Sequence, residues 1–326
     1  MPLLGLFQRA VKAASSAGVA ETYKAVFKLV LELLDTRRLE PADRRTAVLA
    51  VENATLGLFF ELALKLNEAA FRPLLLVTID WACRELVDEG EGASGAAGTR
   101  ADAAEPFAAG VSARKTVLFR LLDRLLGQLK SIVAPYFAYV LEEAVDTLDA
   151  FAAGQLADLD LWDATVSATT KALLHGSDGA SLVVVTVADA ADFWTANRTN
   201  RLIEPCTRQL TLVPTLGGHR VVHRLNPLLV QLGLVASDND ALLKLVNAGV
   251  LRPLLTLDAA VEVKRSCLAA LAALWTTVGG GAMASLVAET IPALVQQDEV
   301  ELAEPLRRAI AAIEGVTGES LEDALS

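Results

Sequence analysis

The residues best suited to catalysis or metal binding are few and scattered. Only three histidines occur, and His219 and His223 are four residues apart, a spacing that places two imidazoles on one face of a helix. The glutamate of an HExxH zinc motif is missing, and the neighbouring Arg220 and Arg224 would repel a cation. We therefore expect histidines on a helix surface and no metal site.

The other candidates for chemistry are equally weak. Acidic pairs such as Glu142–Glu143 and Asp298–Glu299 are typical of solvated helix surfaces. The chain has no GxSxG elbow, no phosphate loop ending in GK[ST] and no GxGxxG turn. Its three cysteines, Cys83, Cys206 and Cys267, are too far apart for a zinc cluster, and their odd number suits a reducing compartment. These features indicate a non-enzymatic protein without a cofactor.

Composition favours helices packed on helices. Of the 326 residues, 53% are hydrophobic but only 5% are aromatic, a balance that suits a Leu- and Ala-rich helical core better than a β-sandwich. The net charge of −11 disfavours a broad phosphate-binding face. The basic clusters Arg37–Arg38 and Arg44–Arg45 are therefore interpreted as solvated helix ends. Direct RNA binding would require a basic stripe through these clusters, Arg220 and Arg224.

Apolar residues recur at helical spacing, for example at Leu118, Leu121, Leu122 and Leu125. The uncharged segment Ser266–Ala288 is long enough to imitate a membrane span, but Gly279–Gly281 lies inside it. Two helices joined by a glycine turn explain that segment better. The β-branched run within Ser181–Val187 fits either a strand or a buried helical segment, and the residues alone leave this open.

Prolines recur with a period near 40 residues. Pro214, Pro253 and Pro292 are spaced 39 residues apart, and Arg72–Leu74 has the same residues as Arg252–Leu254. Proline is well placed in the first turn of a helix. A period of about 40–47 residues with two helices per unit is typical of HEAT and armadillo repeats, in which each helix pair covers the next. We therefore predict an all-α solenoid of antiparallel helix pairs, with roughly seven repeats.

Three regions are predicted along this solenoid. Residues 1–87 and 111–326 form N-terminal and C-terminal HEAT-like repeats of one continuous array. Residues 88–110 are rich in glycine, alanine and acidic residues and bury too little apolar surface to offset the entropy of ordering. We expect a disordered insertion there. Charged residues among the apolar positions of residues 301–314 indicate a terminal cap with a polar outer face.

One long segment resembles a known family. Residues 58–82 read LFFELALKLNEAAFRPLLLVTIDWA, which is similar to the C-terminal region of the large U3 small-nucleolar-RNA-associated HEAT-repeat proteins of the small-subunit processome. Weaker similarities follow in the same order towards the C-terminus. The positions that carry the resemblance are Lys65, Asn67, Glu68, Phe71, Arg72, Pro73, Asp80, Trp81, Pro135, Tyr136, Trp194 and Pro292.

The resemblance implies structural rather than catalytic roles for these positions. Arg72 is expected to pair with Glu68, and Trp81 to anchor the helix beneath. All four tryptophans, Trp81, Trp162, Trp194 and Trp275, are interpreted as packing residues rather than ligand-stacking ones.

The implied function is a scaffold of the UtpA (t-UTP) subcomplex, which supports pre-18S rRNA processing and is linked to RNA polymerase I transcription. The implied partners are other processome proteins, with U3 RNA and pre-rRNA reached through the complex, in the nucleus and nucleolus. No membrane or small-molecule substrate is implied. Family members are far longer, so the chain corresponds to their C-terminal portion. The alternative is a HEAT-repeat adaptor outside ribosome assembly, which a genuine start at Met1 would favour.

Overall fold

The computed structural model describes residues 2–40, 44–84, 104–176, 194–212, 219–236, 239–256, 258–279, 283–297 and 299–321. All regular structure in these ranges is helical, which confirms the predicted all-α class for this part of the chain. Some of the sequence-based predictions concern residues outside these ranges. They are the strand-or-helix assignment of Ser181–Val187, the predicted disorder of residues 88–103 and the position of Pro214. The chain divides into two compact units, residues 1–128 and 129–326.

One boundary of the predicted insertion is wrong. A helix begins at Ala104, so residues 104–110 are helical rather than disordered. Alanine is the strongest helix former, and these residues continue directly into an apolar segment whose burial stabilises the helix.

The first unit is described as six helices: α1 (Pro2–Ala13), α2 (Ser16–Leu34), α3 (Thr36–Leu39), α4 (Arg45–Ala63), α5 (Glu68–Cys83) and α6 (Ala104–Leu129). Helix α4 packs against α1, α2 and α3. Its Phe59 ring meets Phe27 of α2 edge-on, with 6.2 Å between centroids. The predicted leucine face of α6 is confirmed, because its members are buried, namely Leu118, Leu121, Leu122 and Leu125.

Side-chain caps fix where two of these helices begin. Ser15 Oγ accepts a hydrogen bond from the Gly18 N–H at 3.2 Å, and Asn67 Oδ1 accepts one from the Ala70 N–H at 3.0 Å. Each cap satisfies an N–H group that has no partner within its own helix. The signature residue Asn67 therefore sets the start of α5.

The second unit is described as nine α-helices: α7 (Leu141–Ala152), α8 (Leu159–Gly176), α9 (Ala196–Arg208), α10 (His219–Val235), α11 (Asn239–Lys244), α12 (Arg252–Leu255), α13 (Val261–Val278), α14 (Val287–Val295) and α15 (Ala303–Thr317). Four 3-10 turns accompany them, at Lys130–Ile132, Ala134–Tyr139, Gln209–Leu212 and Val300–Leu302. A π-helical segment, Leu245–Leu251, joins α11 to α12.

These helices pack in two layers. One layer runs in order through α7, α9, the π segment and α14, and the other through α8, α10, α13 and α15. Each element contacts the next one in its layer, which is the packing pattern of a repeat array. Pro253 lies in α12, which continues the π segment and contacts α14, where Pro292 lies, so the spacing of the two prolines spans one helix pair. The total of roughly seven repeats stays a prediction.

The prediction of first-turn prolines is wrong for two members of the series. Pro73 and Pro292 are each the sixth residue of their helices, α5 and α14. A proline there removes the hydrogen bond to the carbonyl four residues earlier and favours a bend. Pro135 does open a 3-10 turn, and Pro253 is the second residue of α12, which continues the π segment without a break.

The uncharged segment Ser266–Ala288 is not one helix. Helix α13 ends at Val278, Gly279 has a φ of +47°, and α14 begins at Val287. Of the described helices, one, α4, is long and apolar enough to cross a membrane. It packs within the first unit and carries a buried charge, and a single such helix is weak evidence because core helices meet the same criteria.

Candidate functional site

The signature residues around the α4–α5 turn occupy structural positions. Lys65 lies in the turn itself, and Asn67 caps the helix that follows. Phe71 is buried in the first unit, whereas Arg72 is exposed and Glu68 partly exposed. The pairing of Arg72 with Glu68 stays a prediction.

Asp80 and Trp81 lie near the end of α5. Asp80 is exposed and forms an ion pair with Arg84 one turn later. Trp81 is only partly buried, and the Arg114 guanidinium stacks on its ring, 5.0 Å from the centroid. Arg114 Nη1 also donates to the Trp81 carbonyl oxygen at 3.4 Å. The Trp81 ring therefore serves as a platform for a cation of α6, and its role as an anchor of the helix beneath stays a prediction.

Arg114 belongs to a buried ionic network that the sequence did not reveal. Its partner is Asp35, which lies between α2 and α3 and is 9% exposed. Arg114 Nε and Nη2 donate to the two carboxylate oxygens of Asp35 at 2.7 and 3.1 Å. Arg38 Nε lies 3.0 Å from both oxygens. Burial opposes ionisation of Asp35, but the hydrogen bonds from Arg114 and Arg38 outweigh it and lower its pKa below 3.8.

A second carboxylate, Glu52 of α4, is held in the same way and is only 2% exposed. Arg37 Nε donates to Glu52 Oε2 at 2.8 Å, and Arg120 Nη1 bonds the other oxygen. Arg120 also donates to Asn53 Oδ1 at 3.1 Å, and Arg124 to the Asn53 carbonyl oxygen at 3.2 Å. Each carboxylate is therefore clamped between one arginine of α3 and one of α6.

We call these six residues the arginine–carboxylate network: Asp35, Arg37, Arg38, Glu52, Arg114 and Arg120. Its carboxylates are saturated with charged donors, so they are poorly suited to act as general bases or metal ligands. The network instead ties α3, α4 and α6 together in one geometry. The interpretation of Arg37–Arg38 as solvated helix ends is wrong for Arg37, whose side chain is only 14% exposed.

Other arginines considered for RNA contact are also paired with acids. Arg44 bonds Glu40 at 3.0 Å, and Arg224 bonds Asp163 at 2.7 Å. The side chain of Arg220 lies outside the described residues. The described side chains therefore do not support a basic stripe through these positions.

The signature residues of the second unit are mostly core residues. Pro135 and Tyr136 are buried in the 3-10 turn before α7, and Trp194 is 8% exposed. Trp194 Nε1 donates to the Ala172 carbonyl oxygen at 3.0 Å, and its ring lies 6.3 Å from that of Phe137. Pro292 is exposed on α14.

Two more tryptophans confirm the packing interpretation. Trp162 Nε1 donates to Gln209 Oε1 at 3.0 Å. Gln209 Nε2 in turn donates to the carbonyl oxygens of Leu148 and Pro205, at 2.9 and 2.7 Å. Trp275 is fully buried. Buried polar groups of this kind fix neighbouring helices relative to one another because leaving them unpaired is costly.

The histidine and cysteine positions show no reactive arrangement in the described part of the chain. His223 is exposed on α10, and the side chain of His219 is not among those that the structure describes. No group of three or more His, Cys, Asp or Glu residues there could hold a metal ion. Burial raises the pKa of the Cys267 thiol to about 12 and that of Cys206 well above its ordinary value. Both thiols are therefore protonated and unreactive.

Comparison with known proteins finds a family domain that covers most of the first unit and the start of the second. The BP28CT (NUC211) domain matches residues 18–181, half of the chain and a range that includes the whole arginine–carboxylate network. The chain is 26% identical over 345 residues to U3 small nucleolar RNA-associated protein 10 of Mycosarcoma maydis, covering 98% of this chain and 14% of the relative.

Two further relatives carry the same name. The Coccidioides immitis protein is 24% identical over 349 residues, covering 99% of this chain and 17% of its own length. The Schizosaccharomyces pombe protein is 27% identical over 243 residues, covering 73% of this chain and 12% of its own length. The chain thus spans a small part of these relatives. On the domain match over half of its length, the chain belongs to the BP28CT (NUC211) domain family.

Proposed function

We propose that the chain is a non-catalytic scaffold of ribosome biogenesis that acts in the small-subunit processome and supports pre-18S rRNA processing. The observation that carries the proposal is the similarity to U3 small nucleolar RNA-associated protein 10 along almost the whole chain. We further propose that it acts within the UtpA (t-UTP) subcomplex, is linked to RNA polymerase I transcription and resides in the nucleolus.

The described side chains support a scaffold over an enzyme. The buried carboxylates Asp35 and Glu52 are saturated by arginines, and the buried thiols Cys206 and Cys267 are protonated. Paired layers of helices offer long surfaces for protein partners, which is how repeat arrays commonly act.

Association with U3 RNA and pre-rRNA is proposed to pass through protein partners. The net charge is −11, and several surface arginines of the described part have acidic partners, for example Arg201 with Glu142 and Arg208 with Asp149. Cationic side chains bind a phosphate backbone by displacing its counterions, and an arginine already paired with a carboxylate of its own chain is less available for this.

The test is affinity purification of the tagged native protein, with mass spectrometry of the proteins and sequencing of the co-purified RNA. The expected result is enrichment of processome proteins, U3 RNA and 5′ pre-rRNA over a tag-only control. Depletion should slow 18S maturation and pre-rRNA synthesis, and re-expression should restore both. Recovery of transport or signalling proteins without these RNAs would replace the proposal with an adaptor function outside ribosome assembly.

A further inference from the structure

We propose that a cleft in the second unit binds a peptide segment of a protein partner in which an acidic residue lies next to an apolar one. The cleft lies between the end of α9 with its following 3-10 turn and the π segment with α12. Its volume of about 360 Å³ falls in the range of roughly 300–1,000 Å³ that is usual for ligand pockets. This inference rests on the second unit alone and is independent of the proposed function.

The cleft is built at a point of unusually close backbone approach. A Cβ atom on Gly249 would lie 2.2 Å from Thr207 Cγ2, so only glycine lets the π segment approach α9 this closely. Pro253 has no N–H to donate to the Gly249 carbonyl, and a widened π turn relieves the crowding between the proline ring and that carbonyl. Turns of the π type are rare and are frequently found at functional sites.

An arginine without an acidic partner among the described residues lies at this cleft. Arg252 is exposed, and its side chain makes no ion pair with any described residue. Arg208 on the opposite wall is already bonded to Asp149 at 3.2 Å. In a chain with a net charge of −11, Arg252 is therefore available for a carboxylate, which a guanidinium binds through two parallel hydrogen bonds.

The rest of the lining favours an aliphatic side chain over a nucleotide. It includes Ala248, Pro253 and Val263, and none of its described members is aromatic, so no ring is available for base stacking. The hydroxyls of Thr207 and Thr211 donate to carbonyl oxygens of their own turns, at 2.8 and 2.7 Å. Arg252 would bind the acidic residue of the peptide, and the apolar wall beside it would bind the neighbouring aliphatic side chain.

The first step of the test is selection of peptides from a random display library with the purified full chain. Peptides with Asp or Glu beside Leu, Ile or Phe are expected. Fluorescence anisotropy then gives the affinity of one selected peptide for each variant. Arg252→Glu should weaken binding at least about tenfold by removing the charged partner. Ala248→Phe fills the cleft from an exposed position and should have a similar effect.

Matched controls separate the cleft from general changes in charge or bulk. Arg265→Glu changes an exposed arginine of α13 that does not line the cleft, and Ala20→Phe adds the same ring on α2 of the first unit. Both should bind within about twofold of the unaltered chain. Circular dichroism melts show whether each variant folds, and if Ala248→Phe does not, Arg252→Glu decides the matter because its side chain is exposed.

Several outcomes would overturn the proposal. They are the absence of any selected peptide, selected peptides without acidic residues, binding that both cleft variants leave unchanged, and equal competition by a single-stranded RNA of similar length. Hydrogen exchange supplies an independent readout: the peptide should protect residues 203–211 and 245–256, and protection confined elsewhere would also contradict the assignment.

Discussion

At the residue scale, Asp35 and Glu52 show why removing one partner of a buried ion pair destabilises a protein. Each lies between two guanidinium groups, and Arg37 and Arg114 are themselves largely buried, with side chains 14% and 13% exposed. Taking these charges out of water is costly, and only their mutual hydrogen bonds offset that cost. Loss of one carboxylate therefore leaves two arginines without a counter-charge.

We expect Glu52→Ala to lower the free energy of unfolding by about 3–5 kcal/mol, because it strands Arg37 and Arg120. Urea denaturation followed by circular dichroism measures this. The matched control is Glu40→Ala in the same unit, where the partner Arg44 has a side chain 65% exposed and the expected loss is below about 1 kcal/mol. Equal small losses in both variants would contradict the buried network.

Asp35 should give the stability of the protein a specific acid dependence. Its pKa is lowered in the folded state, so its contribution is fully present above the unfolded pKa of about 3.8 and is lost as the pH falls through the lower folded value. Asp35→Asn should flatten the stability profile as the pH falls below about 4.

Urea melts at a series of pH values test this expectation. Glu304→Gln is the control, because hydrogen bonds from Arg308 and Arg307 also lower the pKa of Glu304, but the Glu304 side chain is 47% exposed to solvent. Solvent screening should leave the acid profile of that variant close to the unaltered one. An unchanged profile in Asp35→Asn would show that Asp35 does not carry the effect.

At the element scale, the start of α5 depends on the Asn67 cap. Asn67→Ala removes the acceptor for the Ala70 N–H and should cost about 0.5–2 kcal/mol in thermal or urea melts. Asn67→Asp keeps an oxygen in the same place and should cost much less. If the two variants lose the same stability, the side chain does not act as a cap.

The π segment depends on the absence of a side chain at Gly249. Gly249→Ala places a Cβ against Thr207 and should cost about 1–3 kcal/mol. Gly315→Ala in α15 is the control: no atom lies within 4 Å of its added Cβ, and a gain of up to about 1 kcal/mol is expected.

A double-variant cycle with Thr207→Ala locates the clash. Thr207→Ala removes the nearest atom, Cγ2, so the double variant should lose less stability than the sum of the two single variants. Simple additivity would mean that the two elements do not meet at these residues.

At the scale of the whole molecule, the net charge predicts the affinity of the isolated chain for RNA. With a net charge of −11 and many arginines already paired, we expect a dissociation constant weaker than about 10 µM for a labelled single-stranded RNA at physiological salt. Fluorescence anisotropy over a salt series measures it. Tight binding that falls steeply with salt would show direct RNA contact and remove the need for bridging proteins.

Several features of the molecule followed from the sequence because they depend on neighbouring residues. Helical periodicity identified the buried leucines of α6, and the glycine run located the end of α13 at Val278. Residues 58–82 pointed to a family whose domain matches residues 18–181. The turn-to-turn spacing of a helix is a local property, so a short window of residues is enough to show it.

Other features could not be predicted from the sequence because they depend on contacts between segments that are far apart in the chain. Asp35 binds Arg114, 79 residues later, and Glu52 binds Arg120, 68 residues later. Nothing in the local pattern around Arg37 distinguishes a solvated helix end from a buried clamp, because the difference lies in what covers the side chain. The partial exposure of Trp81 and the cleft beside Gly249 have the same origin.

The sequence by itself therefore determined the helical class, the acidic surface and the family, since these depend on residue type and local spacing. The tertiary structure alone decided which charges are buried, which arginines of the described residues pair with acids and where a cleft opens. Burial and partner choice depend on the packing of helices that are far apart in the chain, and a side chain's charge acts differently once water is excluded from it.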